Sequence, residues 1–278
     1  MRFLSAVMAA TLLLPTVAFS QTLDKIKESG EFVVGFRTDA APLSFLADTG
    51  PQGYSVELCA RLAANIANTI GLDTMDVVFE PVTTENRFEK VANGEVDLLC
   101  GAATITLSRR AIVDFSAPTY VDGTTVALKV GAPESFEELA GEKIGVRSGT
   151  TTLDALKNSL ASSNIEAEIV EFDDHAAGMA ALDSDAVTAY FADQSILMNL
   201  VKSRVDASSF KVFDRILTVE KHGLAMRRGD TDFRLAVDTG LSALFAQGAV
   251  AETFKNTIRG AQPGFALEAL FLLSPTLP

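Results

Sequence analysis

The chain has 278 residues, of which 48% are hydrophobic, and its formal net charge at pH 7 is −13. This apolar content is ample for one large domain or two ordinary ones with buried cores, so it excludes a disordered chain. An excess of acidic groups repels nucleic acid and anionic lipid surfaces, so neither is expected as a partner.

The first twenty residues have the order of a secretory signal peptide. Arg2 precedes an apolar run over residues 6–17, and the small residues Ala18 and Ser20 then predict cleavage before Gln21. Removing this segment leaves 22 basic against 36 acidic side chains, a net charge of −14 (22 − 36). The apolar run is shorter than the roughly 20 residues of a spanning helix. No cysteine follows the cleavage point to carry a lipid, so we expect an exported, periplasmic protein.

Short β-rich runs alternate with helical patterns along the chain, which indicates an α/β fold with mainly parallel sheets. A strand is predicted at 32–36. The next helix is well marked, because apolar residues recur at helical spacing over 56–70 and Gly71 suits the left-handed position after its end. Further elements of this first set are predicted as a strand at 75–80, a helix at 86–92 and a strand at 96–100.

A second set of strand and helix units begins with the β-rich run at 124–130. Three later strands each precede a helical pattern, and they are predicted at 143–147, 167–172 and 186–191. Two helices predicted over 230–258 have no strand partners of their own. We therefore expect them to pack back on the first set.

These two sets predict two lobes after a signal peptide of residues 1–20. Lobe 1 combines residues 21–124 with residues 225–278, and lobe 2 covers residues 125–224. The sequence has no Gly- and Ser-rich linker between the sets. Extended crossover strands near 124–128 and 221–225 are therefore expected to join the lobes.

Several kinds of chemistry are excluded by motif. The sequence carries no P-loop, zinc, HExxH or GxSxG pattern, and its only histidines are His175 and His222, so we expect no cofactor and no metal site. Cys59 and Cys100 lie in apolar segments, where a disulfide and two buried thiols are both open alternatives.

Polar residues follow several predicted strands at the end where ligands of open α/β sheets bind. Thr104, Arg109 and Arg110 lie beyond the strand at 96–100, and an arginine fork suits a carboxylate because it donates two parallel hydrogen bonds. Solvated surface arginines are the open alternative. The segment 148–151 opens a helix, where it could hold an anion or supply an ordinary N-cap.

Other polar residues at strand ends are weaker candidates, because charged residues commonly bound strands. Asp193 follows an apolar run and can pair with an ammonium, and His175 heads a helix, where a cap or surface role is the more common one. The remaining candidates of this kind are Arg37, Thr84 and Arg87.

Five segments occur in a recognisable order, namely LDKIKESGEFVVGFR, GYSVEL, NRFEKVANGEVDLLCGAATITLSRRAIVDFSAPTY, LAGEKIGVRSGTT and AYFADQSIL. Over about residues 23–260 the chain resembles the bacterial extracellular solute-binding proteins of family 3, the polar amino-acid receptors of ABC importers. The resemblance implies a type II periplasmic binding protein fold, in which two α/β lobes close on an amino acid. The expected partners are the amino acid and a membrane-embedded ABC permease with its ATPase, and we expect a monomer.

The resemblance also implies roles for individual residues. Arg109 and Thr104 would hold the ligand's α-carboxylate, helped by the amide of Thr150. Asp193 would take the α-ammonium, together with the Thr104 hydroxyl and the Ala102 carbonyl. The remaining residues of the predicted ligand-binding set are Arg37, Thr84, Arg87, Arg147 and His175.

The resemblance further implies an acidic ligand, L-glutamate or L-aspartate, because Arg37 and Arg87 would face the ligand side chain. Two departures from the family pattern bear on this assignment. Leu43 stands where family members commonly have an aromatic residue, so a stacking wall is either missing or supplied by Phe45. Ala102 stands where acidic-ligand members can offer a serine hydroxyl.

The main alternative is an enzyme on the same fold, because dehydratases resembling cyclohexadienyl or arogenate dehydratase are built on this architecture. Such an enzyme needs a proton donor in the cleft, for which Asp193 and Glu85 are the candidates. They are better explained as an ammonium partner and a helix-start residue. A third alternative is a sensor that signals through a partner protein.

Overall fold

The computed structural model describes residues 22–276 except 134 and 214, so the predicted signal peptide lies outside the described residues. The described helices are α1 (Thr22–Ser29), α2 (Tyr54–Ile70), α3 (Arg87–Ala92), α4 (Leu107–Arg110), α5 (Thr151–Ser163), α6 (His175–Asp183), α7 (Gln194–Lys202), α8 (Thr231–Ala246), α9 (Ala249–Thr257) and α10 (Phe265–Leu273).

The strands are short, and seven of the fifteen described strands lie where strands were predicted from the sequence. They are β1 (Glu31–Arg37), β2 (Asp39–Ala40), β3 (Ser44–Ala47), β4 (Gly50–Gln52), β5 (Asp76–Val82), β6 (Leu98–Leu99), β7 (Val113–Phe115), β8 (Tyr120–Asp122), β9 (Thr124–Lys129), β10 (Lys143–Arg147), β11 (Glu168–Phe172), β12 (Ala189–Asp193), β13 (Phe210–Val212), β14 (Glu220–His222) and β15 (Ala225–Arg227).

Two five-stranded sheets organise the chain. The sheet of lobe 1 has the order β5-β1-β6-β15-β7, and the sheet of lobe 2 has the order β11-β10-β12-β9-β13. In each sheet the three strands joined by helical crossovers are parallel, whereas β15 and β9 run antiparallel to their neighbours. This arrangement confirms the predicted two-lobed α/β fold.

The core of lobe 1 shows why the periodic segments became helices. Leu58, Leu62 and Ile66 of α2 are fully buried, and burial of each such side chain contributes roughly 1.5–3 kcal/mol. Gly71 ends α2 at φ 73°, in the left-handed region predicted for it. A disulfide joins Cys59 to Cys100, which decides between the two alternatives left open for these cysteines. It ties α2 to the segment that follows β6.

The helices α8 and α9 pack on lobe 1, as predicted from their lack of strand partners. Phe233 and Val237 of α8 and Phe254 of α9 share one apolar cluster with Phe32 of β1. Helix α10 was not predicted, and its Leu267 is buried in the same cluster. Among the described helices none is both long enough and apolar enough to cross a membrane.

The lobes are joined by β8 and β14, which pair antiparallel with Tyr120 opposite His222 and Asp122 opposite Glu220. The expected first crossover at 124–128 instead belongs to β9, because these residues pair with β12 inside the sheet of lobe 2. The expected second crossover at 221–225 begins in β14 and ends in β15 of lobe 1. The crossing strands therefore precede the expected positions by a few residues.

Candidate functional site

A cavity lies between the lobes, at the carboxyl ends of their parallel strands. Arg37, Arg147 and Asp193 are the last residues of β1, β10 and β12. The lining residues are Arg37, Arg87, Ala102, Thr104, Arg109, Arg147, Thr150, Thr151, Thr152, His175, Phe191, Ala192, Asp193 and Ile196. The cavity therefore lies where ligands of open α/β sheets bind, beyond the carboxyl ends of strands.

Of the ten residues predicted from the sequence to bind a ligand, only Thr84 is not among those that line the cavity. Its side chain is buried, and its hydroxyl lies 2.6 Å from Oε1 of Glu85, to which it donates a hydrogen bond. Thr84 therefore supports a neighbouring carboxylate. Phe45, considered as a stacking wall, is also absent from the lining, and the aromatic residue there is Phe191.

Arg109 is held in place by a helix cap. The hydroxyl of Thr106 accepts a hydrogen bond from the Arg109 amide at 3.1 Å and so caps α4. The Arg109 guanidinium donates to the carbonyl of Thr104 at 2.9 Å and lies 5.1 Å from the Phe88 ring centroid. Burial lowers its pKa from the ordinary value. The alternative that Arg109 is a solvated surface residue is therefore wrong, whereas Arg110 is exposed.

Arg87 is a buried cation with unused hydrogen-bonding capacity. Only 2% of the residue is exposed, and its Nη2 donates to the carbonyl of Gly149 at 3.3 Å. Its Nε has no hydrogen-bond partner among the described residues. Burial lowers its pKa well below the ordinary value, and the charge of Arg37 adds to that effect. An unsatisfied buried donor is costly, so this guanidinium favours an incoming anion.

Asp39 is a counter-charge that sequence reasoning missed. Its Oδ1 accepts a hydrogen bond from Arg37 Nε at 2.8 Å, and its Oδ2 accepts from Arg147 Nε at 3.2 Å. Burial opposes ionisation of Asp39, but the charges of both arginines hold its pKa below the ordinary value. Arg37 therefore already has a carboxylate partner in the protein, which the sequence argument for an acidic ligand did not include. An acidic residue two positions after Arg37 was the available signal.

Arg147 connects the lobes. It comes from lobe 2, and besides Asp39 it contacts Glu85 of lobe 1, with 3.1 Å between its Nη1 and the carboxylate Oε1. Nη1 also lies 2.7 Å from the Ser148 hydroxyl oxygen. Only 4% of the Arg147 side chain and 18% of the Asp39 side chain are exposed, so this pair is shielded from solvent more than surface pairs are, whereas the Glu85 side chain is 54% exposed.

Thr150 and Asp174 cap helices, and their contacts bear on the alternatives left open for the segment 148–151 and for His175. Thr150 caps α5 by accepting a hydrogen bond from the Leu153 amide at 3.3 Å, so the N-cap interpretation is confirmed, and Thr150 also lines the cavity. Asp174 caps α6, so the cap role considered for His175 is wrong. The His175 Nδ1 lies 2.9 Å from the Tyr190 hydroxyl, and burial lowers the pKa of His175 to about 3, which keeps it neutral.

Asp193 is the acidic residue of the lining. Burial raises its pKa to about 7, and the charge of Glu220 adds to the shift while the nearby arginines oppose it. The Nε2 atom of His222 lies 3.6 Å from its Oδ2. Asp122 lies in the same group, and burial raises its pKa to about 6. The sequence offered no signal for Glu220, His222 or Asp122 as neighbours of Asp193.

Four guanidinium groups face the cavity, and Asp193 is the one carboxylate among the described residues of its lining. Asp39 pairs with Arg37 and with Arg147, and Glu85 also pairs with Arg147, so two of the four guanidinium groups already have carboxylate partners. Arg87 and Arg109 are the guanidinium groups left for the carboxylates of a ligand, and Asp193 is left for a cationic group.

Comparison with known proteins agrees with this geometry. Residues 32–258 match the model of the bacterial extracellular solute-binding proteins, family 3. The chain belongs to this family. An L-glutamate/L-aspartate-binding protein of Pseudomonas aeruginosa is 29% identical over 278 residues, covering 98% of this chain and 92% of the relative. A glutamate/glutamine/aspartate/asparagine-binding protein of Rhodobacter capsulatus is 31% identical over 242 residues, covering 86% of this chain and 70% of the relative.

A solved structure extends the similarity to an ancestral protein. The structure is described as an ancestral amino acid-binding protein, a precursor of cyclohexadienyl dehydratase. It superposes with a TM-score of 0.74 at 26% identity, covering 86% of this chain and all of that chain. The two-lobed fold is thus shared with amino acid-binding proteins.

Proposed function

We propose that this family 3 protein captures an acidic amino acid, L-glutamate or L-aspartate, between its lobes and delivers it to an ABC permease. The observation that carries the proposal is Arg87, a buried guanidinium that faces the cavity with an unpaired donor and no carboxylate partner among the described residues. Leaving such a charge unpaired costs several kcal/mol. A ligand side-chain carboxylate would supply the missing partner.

The α-amino and α-carboxyl groups have separate partners in this proposal. Arg109 and the amide of Thr150 hold the α-carboxylate, and Asp193 holds the ammonium with the carbonyl of Ala102. Arg87 and Arg109, the two lining arginines that do not pair with Asp39 or Glu85, support an acid over its amide, because glutamate or aspartate brings one carboxylate for each of them and an amide brings only one. Arg37 contributes less to the binding of a ligand carboxylate than its position in the lining suggests, because Asp39 already pairs with it.

Titration calorimetry with glutamate, aspartate, glutamine, asparagine and arginine tests the ligand class. The acids should bind at least about tenfold more tightly than the amides, a difference of about 1.4 kcal/mol. Arg87→Met should reduce this preference, whereas Arg110→Met, which changes an exposed arginine, should leave it intact. If glutamine or arginine binds as tightly as both acids, the ligand is not specifically acidic.

The biological setting follows from the same proposal. We infer that residues 1–20 direct export to the periplasm, that the mature chain is a monomer of two lobes, and that it acts by binding without catalysis. The names of both relatives support a binding role, because the Pseudomonas aeruginosa protein is called an L-glutamate/L-aspartate-binding protein and the Rhodobacter capsulatus protein is named for the binding of glutamate, glutamine, aspartate and asparagine. Fractionation of cells that express the full chain, followed by size-exclusion chromatography of the mature form, tests these inferences.

A second candidate function is a dehydratase, which the similarity to a dehydratase precursor raises. Asp193 is relevant to it, because a carboxyl whose pKa is about 7 can act as a general acid at neutral pH. The pKa of Glu85 is about 2, which makes it a poor proton donor. Incubation with prephenate or arogenate, with detection of an aromatic product, distinguishes this candidate from a receptor.

A further inference from the structure

Glu220 lies at the start of β14, in the pair of strands that joins the lobes, and only 4% of it is exposed. Its carboxylate is surrounded by four threonine hydroxyls that all donate hydrogen bonds to it. Oε2 accepts from Thr104 at 2.6 Å and from Thr151 at 2.6 Å. Oε1 accepts from Thr218 at 2.8 Å and from Thr124 at 3.0 Å. This satisfied network keeps a buried charge in a fixed position.

The protons of two cavity hydroxyls are committed by these contacts. A hydroxyl has one proton to donate, and an ionised carboxylate accepts only. Although burial opposes ionisation of Glu220, the hydrogen bonds from Thr104 and Thr151 keep its pKa below the ordinary value, so it is ionised at neutral pH. The contacts of both hydroxyls with the charged carboxylate, at 2.6 Å each, are shorter than the 3.1 Å between the two hydroxyl oxygens, so we assign both protons to Glu220. Both oxygens then keep lone pairs for other partners.

Thr104 and Thr151 both line the cavity, and their hydroxyl oxygens are 3.1 Å apart. Thr104 comes from lobe 1 and follows β6, whereas Thr151 is the first residue of α5 in lobe 2. The pair of oxygens thus exists only when the lobes are together. Each oxygen then faces the cavity as a hydrogen-bond acceptor.

We propose that Glu220 is a positioning residue that fixes Thr104 and Thr151 as acceptors and so makes the cavity select ligands that carry an ammonium group. The inference rests on the proposed function, because it concerns how that same cavity recognises an amino acid. Two hydroxyls that have given their protons to Glu220 cannot donate to a ligand carboxylate. Ligand carboxylates are therefore left to the arginines, and the ammonium finds Asp193 and two hydroxyl oxygens.

The test compares glutamate with glutarate, which keeps both carboxylates and lacks the ammonium. Glu220→Gln replaces one carboxylate oxygen with an N–H donor, so the hydroxyls on that side must turn their protons away, towards the cavity. The ratio of glutamate to glutarate affinity, measured by calorimetry, should fall at least about tenfold in this variant. The control is Thr218→Val, which removes a partner of Glu220 that does not line the cavity, and it should leave the ratio unchanged.

An unchanged ratio in a folded Glu220→Gln variant would overturn the inference, since a purely structural Glu220 would weaken both ligands alike. A wild-type protein that binds glutarate as tightly as glutamate would also overturn it while leaving an acidic ligand in place. A wild-type protein that binds no amino acid would overturn the proposed function, and the inference with it.

Neutron diffraction on deuterated crystals of the wild-type protein gives a second test that needs neither variant nor ligand. Both hydroxyl deuterons, on Thr104 and Thr151, should point at Glu220. A deuteron directed into the cavity from either residue would refute the assignment.

Discussion

Binding of an amino acid should depend on pH through Asp193. Burial raises the pKa of this carboxyl to about 7 in the ligand-free cavity, with a contribution from the charge of Glu220. An ammonium group pairs with the ionised carboxylate and not with the protonated acid. Below pH 7, ligand binding must therefore release the proton of Asp193, and the affinity must fall as the pH falls.

The magnitude follows from the pKa. At pH 5, about two pH units below that value, roughly 1% of the free protein has an ionised Asp193. The affinity at pH 5 should accordingly be about 100-fold weaker than above pH 8, a difference of about 2.7 kcal/mol. The side chain of a glutamate ligand remains mostly ionised over this range, since its ordinary pKa is about 4.3.

The same shift predicts the opposite trend for the stability of the ligand-free protein. The pKa of Asp193 is higher in the folded protein than its ordinary value of 3.8, so between these values the folded state binds more protons than the unfolded state. The free energy of unfolding should therefore decrease as the pH rises from about 4 to about 7. Ligand should restore stability most strongly above pH 7.

Other titrating groups face Asp193 and limit the pH range of the test. Burial raises the pKa of Asp122 to about 6, with a contribution from the charge of Asp193, and burial also lowers the pKa of His222. Glu220 has a lowered pKa and stays ionised. Asp122 does not line the cavity, so Asp193 is the group expected to dominate the pH dependence of ligand binding from pH 5 to pH 8.

Calorimetry in buffers of different ionisation enthalpy measures both the affinity and the number of protons released. We expect release of nearly one proton per ligand at pH 5 to 6 and almost none above pH 8. Asp193→Asn should bind weakly at every pH and release no proton. A wild-type affinity that stays constant from pH 5 to pH 8, without proton release, would refute the reasoning.

Three further predictions test the remaining parts of the site. Arg109→Ala should lose roughly 2–5 kcal/mol of binding free energy, about 30- to 5,000-fold in affinity, with native circular dichroism, while Arg110→Ala binds normally; near wild-type binding would remove Arg109 from the site. Asp39→Asn frees Arg37 and Arg147 from their shared counter-charge, so calorimetry should show a larger preference for glutamate over glutamine; a smaller one would contradict the charge balance. Small-angle scattering should show a smaller radius of gyration with saturating ligand, and an unchanged radius under confirmed binding would count against closure.

The sequence predicted those parts of the fold that local physics determines. The strand at 143–147 and the helix that ends before Gly71 were placed correctly, because apolar periodicity and a glycine with positive φ act over a few residues. The crossover was misplaced because whether Thr124 begins a linker or a strand depends on its pairing with β12, a contact far away in the chain. A three-residue strand such as β15 is too short to show a period.

The sequence could predict those residues of the candidate site that lie at the ends of strands. Arg37 and Asp193 end strands, so their positions followed from the fold class. Asp39, the partner of Arg37, lies two positions later in the same lobe and was a local signal that the sequence argument did not use. Glu220 is different, because its contacts with Thr104 of lobe 1 and Thr151 of lobe 2 depend on tertiary structure.

The ion pairs of Arg147 bear on how closure is controlled. Asp39 and Glu85 of lobe 1 pair with this lobe 2 residue, and Thr104 and Thr151 meet at one carboxylate oxygen across the same cleft. These contacts require no ligand, so they stabilise the closed form of the empty protein. The unpaired Arg87 acts in the other direction, because closure without an anion buries its charge uncompensated. A ligand carboxylate removes that cost only in the closed form, and it therefore shifts the equilibrium between open and closed lobes by its differential affinity.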